Sequence, residues 1–164
     1  MADTKALQTP TDLNRNDTKS VADALNSALA DSFALYFKTK NFHWHVSGPH
    51  FRDYHLLMDD QATQIYAITD AIAERVRKTG NNTIRSIGDI ARRQTLKDND
   101  ADFVSAADML AELRDDNLKL VESFRAVKEA AEAAGDNATS GVVDEWTDQA
   151  EERAWFLFEA SRKG

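Results

Sequence analysis

The chain has no cysteine, and this absence limits the chemistry open to it. Without thiolates there is neither a disulfide framework nor sulfur ligation, so a metal site has to use imidazole and carboxylate groups. Such ligands favour iron, manganese or zinc. Long apolar runs are also missing, both near the N-terminus, where a signal peptide would lie, and at the length of a membrane span. We therefore expect a soluble, cytoplasmic protein with no membrane partner.

Glycine and proline are scarce, at six and two of 164 residues, whereas 42% of the residues are hydrophobic and 29% are charged. This balance is typical of a helix-rich globular protein, and the length suits one domain with one core. The formal net charge of −8 attracts cations and repels polyanions. Binding to DNA would therefore need a local basic element.

Hydrophobic periodicity and helix-end signals divide the chain into a tail and four long helices. Residues 1–17 are predicted to form a flexible N-terminal tail, and residues 18–162 a helical domain. Asp17 is the predicted N-cap of the first helix, and Gly80 and Gly135 are predicted stops. The predicted helices cover residues 17–46, 50–79, 86–93 (short), 105–134 and 139–162. One long crossover between the second and third long helices fits an all-α, ferritin-like four-helix bundle.

All four histidines, at positions 43, 45, 50 and 55, lie within thirteen residues around the first predicted turn. A single polar residue is ordinarily a solvated surface group, but the spacing here argues for more. At about 100° per residue, His55, Asp59, Asp70 and Glu74 fall on one stripe of the second helix. The apolar stripe of that helix lies on a different face and comprises Tyr54, Met58, Ile65, Ile68, Ile72 and Val76.

These four residues form two pairs with i,i+4 spacing, each able to hold one ion. Between Asp59 and Asp70 the helix rises about 16 Å, whereas metal–ligand bonds are only about 2 Å long. One chain cannot bring both pairs to the same ion. If two copies of the helix meet antiparallel across a two-fold axis near residues 64 and 65, His55 and Asp59 of one copy face Asp70 and Glu74 of the other.

Three further residues support this dimer hypothesis. Ala62 and Ala73, with Tyr66, lie at the edge of the same stripe, where small side chains would let the two helices pack closely.

His43 lies about as far before the turn as His55 lies after it, so an antiparallel hairpin should bring the two imidazoles together.

The segments His43-Trp44, Gly48-Pro49-His50-Phe51 and Ala73-Glu74-Arg75, with His55, Asp59 and Asp70, resemble the Dps family of mini-ferritins. The resemblance implies a ferroxidase site in which His43, His55 and Asp59 come from one chain. Asp70 and Glu74 would come from its two-fold partner, and Trp44 would adjoin the site. It also implies iron as the bound metal, with up to two ions at each inter-subunit site.

In function, the resemblance implies a dodecameric shell built from two-fold dimers. Fe(II) would be oxidised by hydrogen peroxide and stored inside as ferric mineral, which would protect against oxidative damage. The alternative is a non-enzymatic, nucleoid-structuring protein that binds DNA. Family members that bind DNA commonly use a lysine-rich tail, whereas residues 1–19 hold three basic and three acidic side chains. We therefore expect weak or absent DNA binding.

Other features distinguish this chain from the di-iron oxidases or concern residues whose role the sequence does not decide. An ordinary di-iron oxidase needs Glu-x-x-His pairs on its core helices, and the sequence has none. His45 stands where many relatives have asparagine, so we interpret it, like His50, as a surface group. Acidic candidates for an iron-uptake pore follow the third long helix, namely Asp136, Asp144 and Glu145, although Gly141 replaces a family aspartate there.

Overall fold

The computed structural model describes residues 4–163, which are helical and contain no strand. A 3-10 turn at Thr4–Leu7 precedes five helices: α1 (Arg15–His45), α2 (Phe51–Lys78), α3 (Ile87–Arg93), α4 (Ala106–Ala133) and α5 (Asn137–Ser161). The all-α prediction is confirmed, and the helix bounds lie close to the predicted ones. None of the helices in this range is long and apolar enough to cross a membrane.

Side chains cap four of the five helices in residues 4–163, whereas His50 at the start of α2 makes no capping hydrogen bond. Ser105 accepts a hydrogen bond from the backbone N–H of Asp108 and starts α4, which agrees with the predicted start of that helix at residue 105. The predicted cap at Asp17 is wrong, because Asn14 caps α1 by accepting from the N–H of Asn16. Asp17 instead lies in the first turn, where its charge interacts favourably with the helix dipole.

The segment before α1 lies against the end of α2. The Arg77 guanidinium donates to the carbonyl of Leu7, and Gly80 brings its backbone close to Thr9. Gly80 has a φ of +84°, and a Cβ there would lie 3.0 Å from the Thr9 carbonyl oxygen, so only glycine suits this position. The predicted flexibility of residues 1–17 and the domain boundary after residue 17 stay predictions, and residues 1–3 lie outside the described residues.

The bundle consists of two helical hairpins, α1 with α2 and α4 with α5, which pack together chiefly through α1 against α4. Five members of the predicted apolar stripe of α2 are buried in the core: Met58, Ile65, Ile68, Ile72 and Val76. Tyr54 is partly buried against it. The opposite side of α2 therefore remains available at the surface of the monomer.

Ala62 contradicts the predicted two-fold contact, because it is 1% exposed inside its own bundle. The buried face of α2 is wider than its apolar stripe, because Gln61, which bonds to α5, and Ala62 are buried beside it. Ala73 is partly buried against the core. Tyr66 is 57% exposed and does lie on the outer face, where its ring contacts Tyr36 at a centroid distance of 5.2 Å.

A buried ion pair joins the two hairpins. The Lys38 ammonium on α1 lies 2.6 Å from Asp116 and 2.9 Å from Glu112, both on α4. Burial lowers the pKa of Lys38, but hydrogen bonds to the two carboxylates outweigh it, so this pKa lies above its ordinary value. Burial raises the pKa of Asp116. The α1–α4 contact therefore depends on charges that compensate each other away from water.

We expect Asp116→Leu to destabilise the protein by about 3 kcal/mol or more, because it leaves the Lys38 ammonium buried beside the partly exposed Glu112 alone. The double substitution Lys38→Met/Asp116→Leu removes both charges and should recover most of this loss. Denaturant unfolding followed by circular dichroism measures both effects. A double variant that is no more stable than Asp116→Leu would contradict this account.

Candidate metal centre

His43 and His55 face each other across the α1–α2 hairpin. His43 lies in the last turn of α1 and His55 in the second turn of α2. Their rings stack with centroids 3.8 Å apart and planes inclined by 19°. The predicted convergence of the two imidazoles is confirmed.

Each of these histidines is held by the backbone of the other. Nδ1 of His43 donates to the His55 carbonyl at 2.7 Å, and Nδ1 of His55 donates to the His43 carbonyl at 2.8 Å. A carbonyl oxygen can only accept, so both Nδ1 atoms carry the proton. In the neutral rings both Nε2 atoms therefore keep a free lone pair, which is the form that binds a metal ion.

Asp59 adds a carboxylate one turn beyond His55. Its Oδ1 lies 3.8 Å from Nε2 of His43, and its side chain is half exposed. The Lys40 ammonium donates to the same Oδ1 at 2.8 Å. This hydrogen bond lowers the pKa of Asp59 below its ordinary value, so the carboxylate is ionised at neutral pH. A cationic group already lies where a metal ion would meet Asp59.

Sequence analysis did not identify Lys40. The residue precedes His43 by three positions, so the two side chains share one face of α1. That spacing is the signal that could have revealed it. The ordinary interpretation of a lysine near a helix end, a solvated cation, hides its contact with the next helix.

The second predicted pair lies apart from the first on the same helix. Asp70 and Glu74 are exposed, and the nearest cation to Glu74 is Lys78, at 3.8 Å. Within residues 4–163, no group of three or more histidine, aspartate or glutamate side chains is arranged to hold a metal ion. His43, His55 and Asp59 lie near one another but do not by themselves form a metal-binding arrangement, and Asp70 and Glu74 are exposed further along α2.

Exposed aromatic rings surround the histidine pair. Trp44 is 54% exposed, packs edge-on against Phe37 at 6.0 Å and lies 5.9 Å from the Lys40 ammonium. Phe51 stacks on His55 at 5.0 Å. Adjacent exposed aromatic side chains are characteristic of surfaces that contact another protein.

The remaining candidates have structural or surface positions. His45 is exposed and bonds to Asn41, in agreement with its interpretation as a surface group, and His50 is exposed as well. Asp136, a pore candidate, is 3% exposed and caps α5 by accepting a hydrogen bond from the backbone N–H of Thr139, so its position is that of a helix-start carboxylate and does not favour a pore role. Asp144, which binds Lys128, and Glu145 are exposed.

We expect Lys40→Met to tighten the binding of Co(II), a redox-stable substitute for Fe(II), because the ammonium no longer competes for Asp59. Because this ion pair is exposed, we expect the Kd to fall by about fivefold at most. Calorimetric titration measures the change. Lys97→Met, which removes an exposed lysine from the α3–α4 connection, should leave the Kd unchanged. An unchanged or weaker affinity in Lys40→Met would refute the competition.

Known proteins match this chain along most of its length. A model of the ferritin-like domain matches residues 22–163. A low temperature-induced protein of Nostoc is 36% identical over 88% of this chain and 82% of its own length. A DNA protection during starvation protein of Brevibacillus brevis is 31% identical over 84% of this chain and 91% of its own.

Solved structures agree with this relationship. The crystal structure of a Dps protein from Bacillus brevis superposes with a TM-score of 0.86 at 28% identity, covering 92% of this chain and 100% of that one. The fold, the match of the domain model and the sequence relatives lead to the same assignment. The chain belongs to the ferritin-like proteins and, among them, to the Dps family of mini-ferritins.

Proposed function

We propose that this protein oxidises Fe(II) with hydrogen peroxide at sites shared by two-fold-related subunits and stores the ferric product inside a dodecameric shell. The observation that carries the proposal is the stacked pair of His43 and His55, with both Nε2 atoms free beside Asp59. Membership of the Dps family and the acidic composition support it.

The register of α2 supports completion of the site by a second subunit. The midpoint between positions 55 and 74 coincides with the midpoint between 59 and 70, at the bond between Gln64 and Ile65. A two-fold axis through this one point therefore brings both pairs together at once. Each site would take His43, His55 and Asp59 from one chain, with Asp70 and Glu74 of the partner subunit.

The carboxylate and imidazole ligands of the proposed site have different chemical roles. Carboxylates neutralise the charge of Fe(II), and the imidazoles orient it while leaving positions open for the oxidant. Two Fe(II) ions each lose one electron, and one hydrogen peroxide takes both electrons and two protons to give two waters. A site that holds two ions could complete this reduction without releasing a one-electron product. Removal of peroxide and Fe(II) together is the protective function we propose.

We expect His43→Gly/His55→Gly to lower the initial rate of peroxide-driven Fe(II) oxidation at least about a hundredfold, because loss of metal-site groups typically costs that much or more. The growth of ferric absorbance in the near ultraviolet measures the rate. His45→Gly/His50→Gly removes the two exposed histidines near the turn and should keep the rate. Equal rates in the two double variants would rule out the site.

Subunit mixing tests whether the site is shared. Asp70→Asn/Glu74→Gln should be as inactive as His43→Gly/His55→Gly when each is assayed alone. A dimer that combines one subunit of each kind contains one intact site and one site with all its altered ligands. After dissociation and random reassembly, we therefore expect about a quarter of the wild-type activity. No recovery would show that the ligands do not come from two chains.

We propose that direct DNA binding is weak near physiological salt. The tail and the start of α1 carry balanced charges, and Lys19 is already paired with Asp23. Phosphate contacts weaken steeply with salt because counterions are released additively. A gel-shift titration of duplex DNA at about 150 mM salt should show no retarded band at submicromolar protein. Tight binding there would favour the nucleoid-structuring alternative.

A further inference from the structure

Arg153 on α5 carries a buried positive charge without a complete set of partners. The residue is 1% exposed, and its Nε donates to Oδ1 of the buried Asn117 on α4 at 2.8 Å. Its two terminal nitrogens, Nη1 and Nη2, are buried and have no hydrogen-bond partner among residues 4–163. Burial lowers the pKa of Arg153 to about 10, so the group stays charged at neutral pH.

Gln61 on α2 has an unpartnered hydrogen-bond acceptor, which complements the unpartnered donors of Arg153. It is 3% exposed, and its Nε2 donates to the backbone carbonyl of Arg153 at 3.2 Å. Because a carbonyl only accepts, this bond fixes which end of the amide is nitrogen. The opposite atom, Oε1, is therefore an acceptor, and it has no donor among the described residues.

A cavity of about 90 Å³ lies between α2 and α5 and is lined by both Gln61 and Arg153. Leu57 and Phe156 contribute apolar surface to its wall. A volume of this size admits a molecule of a few heavy atoms, well beyond a single water. Buried polar groups in native proteins are nearly always bonded, so three unpartnered atoms on two residues that line one cavity point to an occupant.

The three atoms define the chemistry of that occupant. Nη1 and Nη2 of Arg153 need acceptors, and a buried cation is ordinarily compensated by an anion that bonds to it. Glu152 acts on Arg153 through its charge but gives these two atoms no hydrogen bond. Oε1 of Gln61 needs a donor. An ion that offers acceptors, one donor and a negative charge is a small oxyanion that keeps a proton at neutral pH.

We propose that Gln61 and Arg153 form a binding site for such a protonated oxyanion, of the kind represented by dihydrogen phosphate and bicarbonate. Asp60 and Glu152, which are exposed and also line the cavity, favour the same choice. Their carboxylates repel a dianion more strongly than a monoanion. Sulfate, which has no proton at neutral pH, lacks the donor that this site requires.

Titration calorimetry of the full-length, iron-free protein tests the proposal without involving the ferroxidase chemistry. Phosphate, bicarbonate and sulfate are titrated separately at constant pH and ionic strength. We expect phosphate or bicarbonate to bind once per chain, and the tighter of the two identifies the ligand. Sulfate should bind at least about tenfold more weakly, which is the discrimination expected when a buried acceptor loses its donor.

Gln61→Glu is the decisive variant, because it supplies Arg153 with a permanent countercharge while it keeps the shape of the side chain. We expect at least about a tenfold loss of phosphate or bicarbonate affinity, with helix content and assembly size unchanged. Gln8→Glu makes the same change at an exposed position before α1, outside the cavity, and it should change the affinity less than about threefold. Arg153→Met should abolish binding in any preparation that folds.

Several outcomes would overturn the site. One is the absence of phosphate and bicarbonate binding at millimolar concentrations, and another is equal affinity for phosphate and sulfate. A third is unchanged binding in Gln61→Glu. A crystal structure in phosphate that shows only water molecules in the cavity would refute it as well. None of these results depends on whether the protein oxidises iron.

Discussion

Two short hydrogen bonds at the α1–α2 turn govern the chemistry of this protein. Each of His43 and His55 donates to the backbone carbonyl of the other, so the same contacts close the hairpin and fix the tautomers. The helix ends and the metal-binding nitrogens are consequently positioned together. Because Asp70 and Glu74 lie apart from them along α2, the proposed site would take these two ligands from a second subunit.

The periodicity of the sequence predicts what depends on spacing along a helix. It predicts the helix bounds, the buried stripe of α2 and the convergence of His43 and His55, because these follow from a fixed rotation and rise per residue. It does not predict how far neighbouring helices extend the buried face. Ala62 shows this limit, since it is buried at a position that the pattern leaves at the surface.

Contacts between helices also cannot be predicted from the sequence when the residues that make them belong to no motif. Lys40 and Asp59 are nineteen positions apart, and no motif joins them. Asn14 and Asp17 are both acceptable helix caps, so local preference alone could not choose between them. Arg153 and Gln61 likewise look like surface residues in the sequence, and only their burial in the bundle makes their unpartnered atoms noticeable.

The interior of the bundle has a polar layer drawn from all four long helices. Lys38 on α1 pairs with Asp116 on α4, while Arg153 on α5 binds Asn117 on α4 and Gln61 on α2. In di-iron bundle proteins this region holds carboxylates and histidines that bind metal. Here two buried cations occupy it and would repel Fe(II). The interior is therefore less suited to metal than the proposed site at the surface of α2.

The pairing of Lys40 with Asp59 has a consequence for the order of events in the cell. The proposed dimer would bring Asp59 close to Asp70 and Glu74 of the partner subunit, and three like charges oppose association. The Lys40 ammonium offsets one of these charges while no iron is present. In the proposed assembly, subunits could thus associate before metal binds. The supply of iron would then not limit construction of the shell.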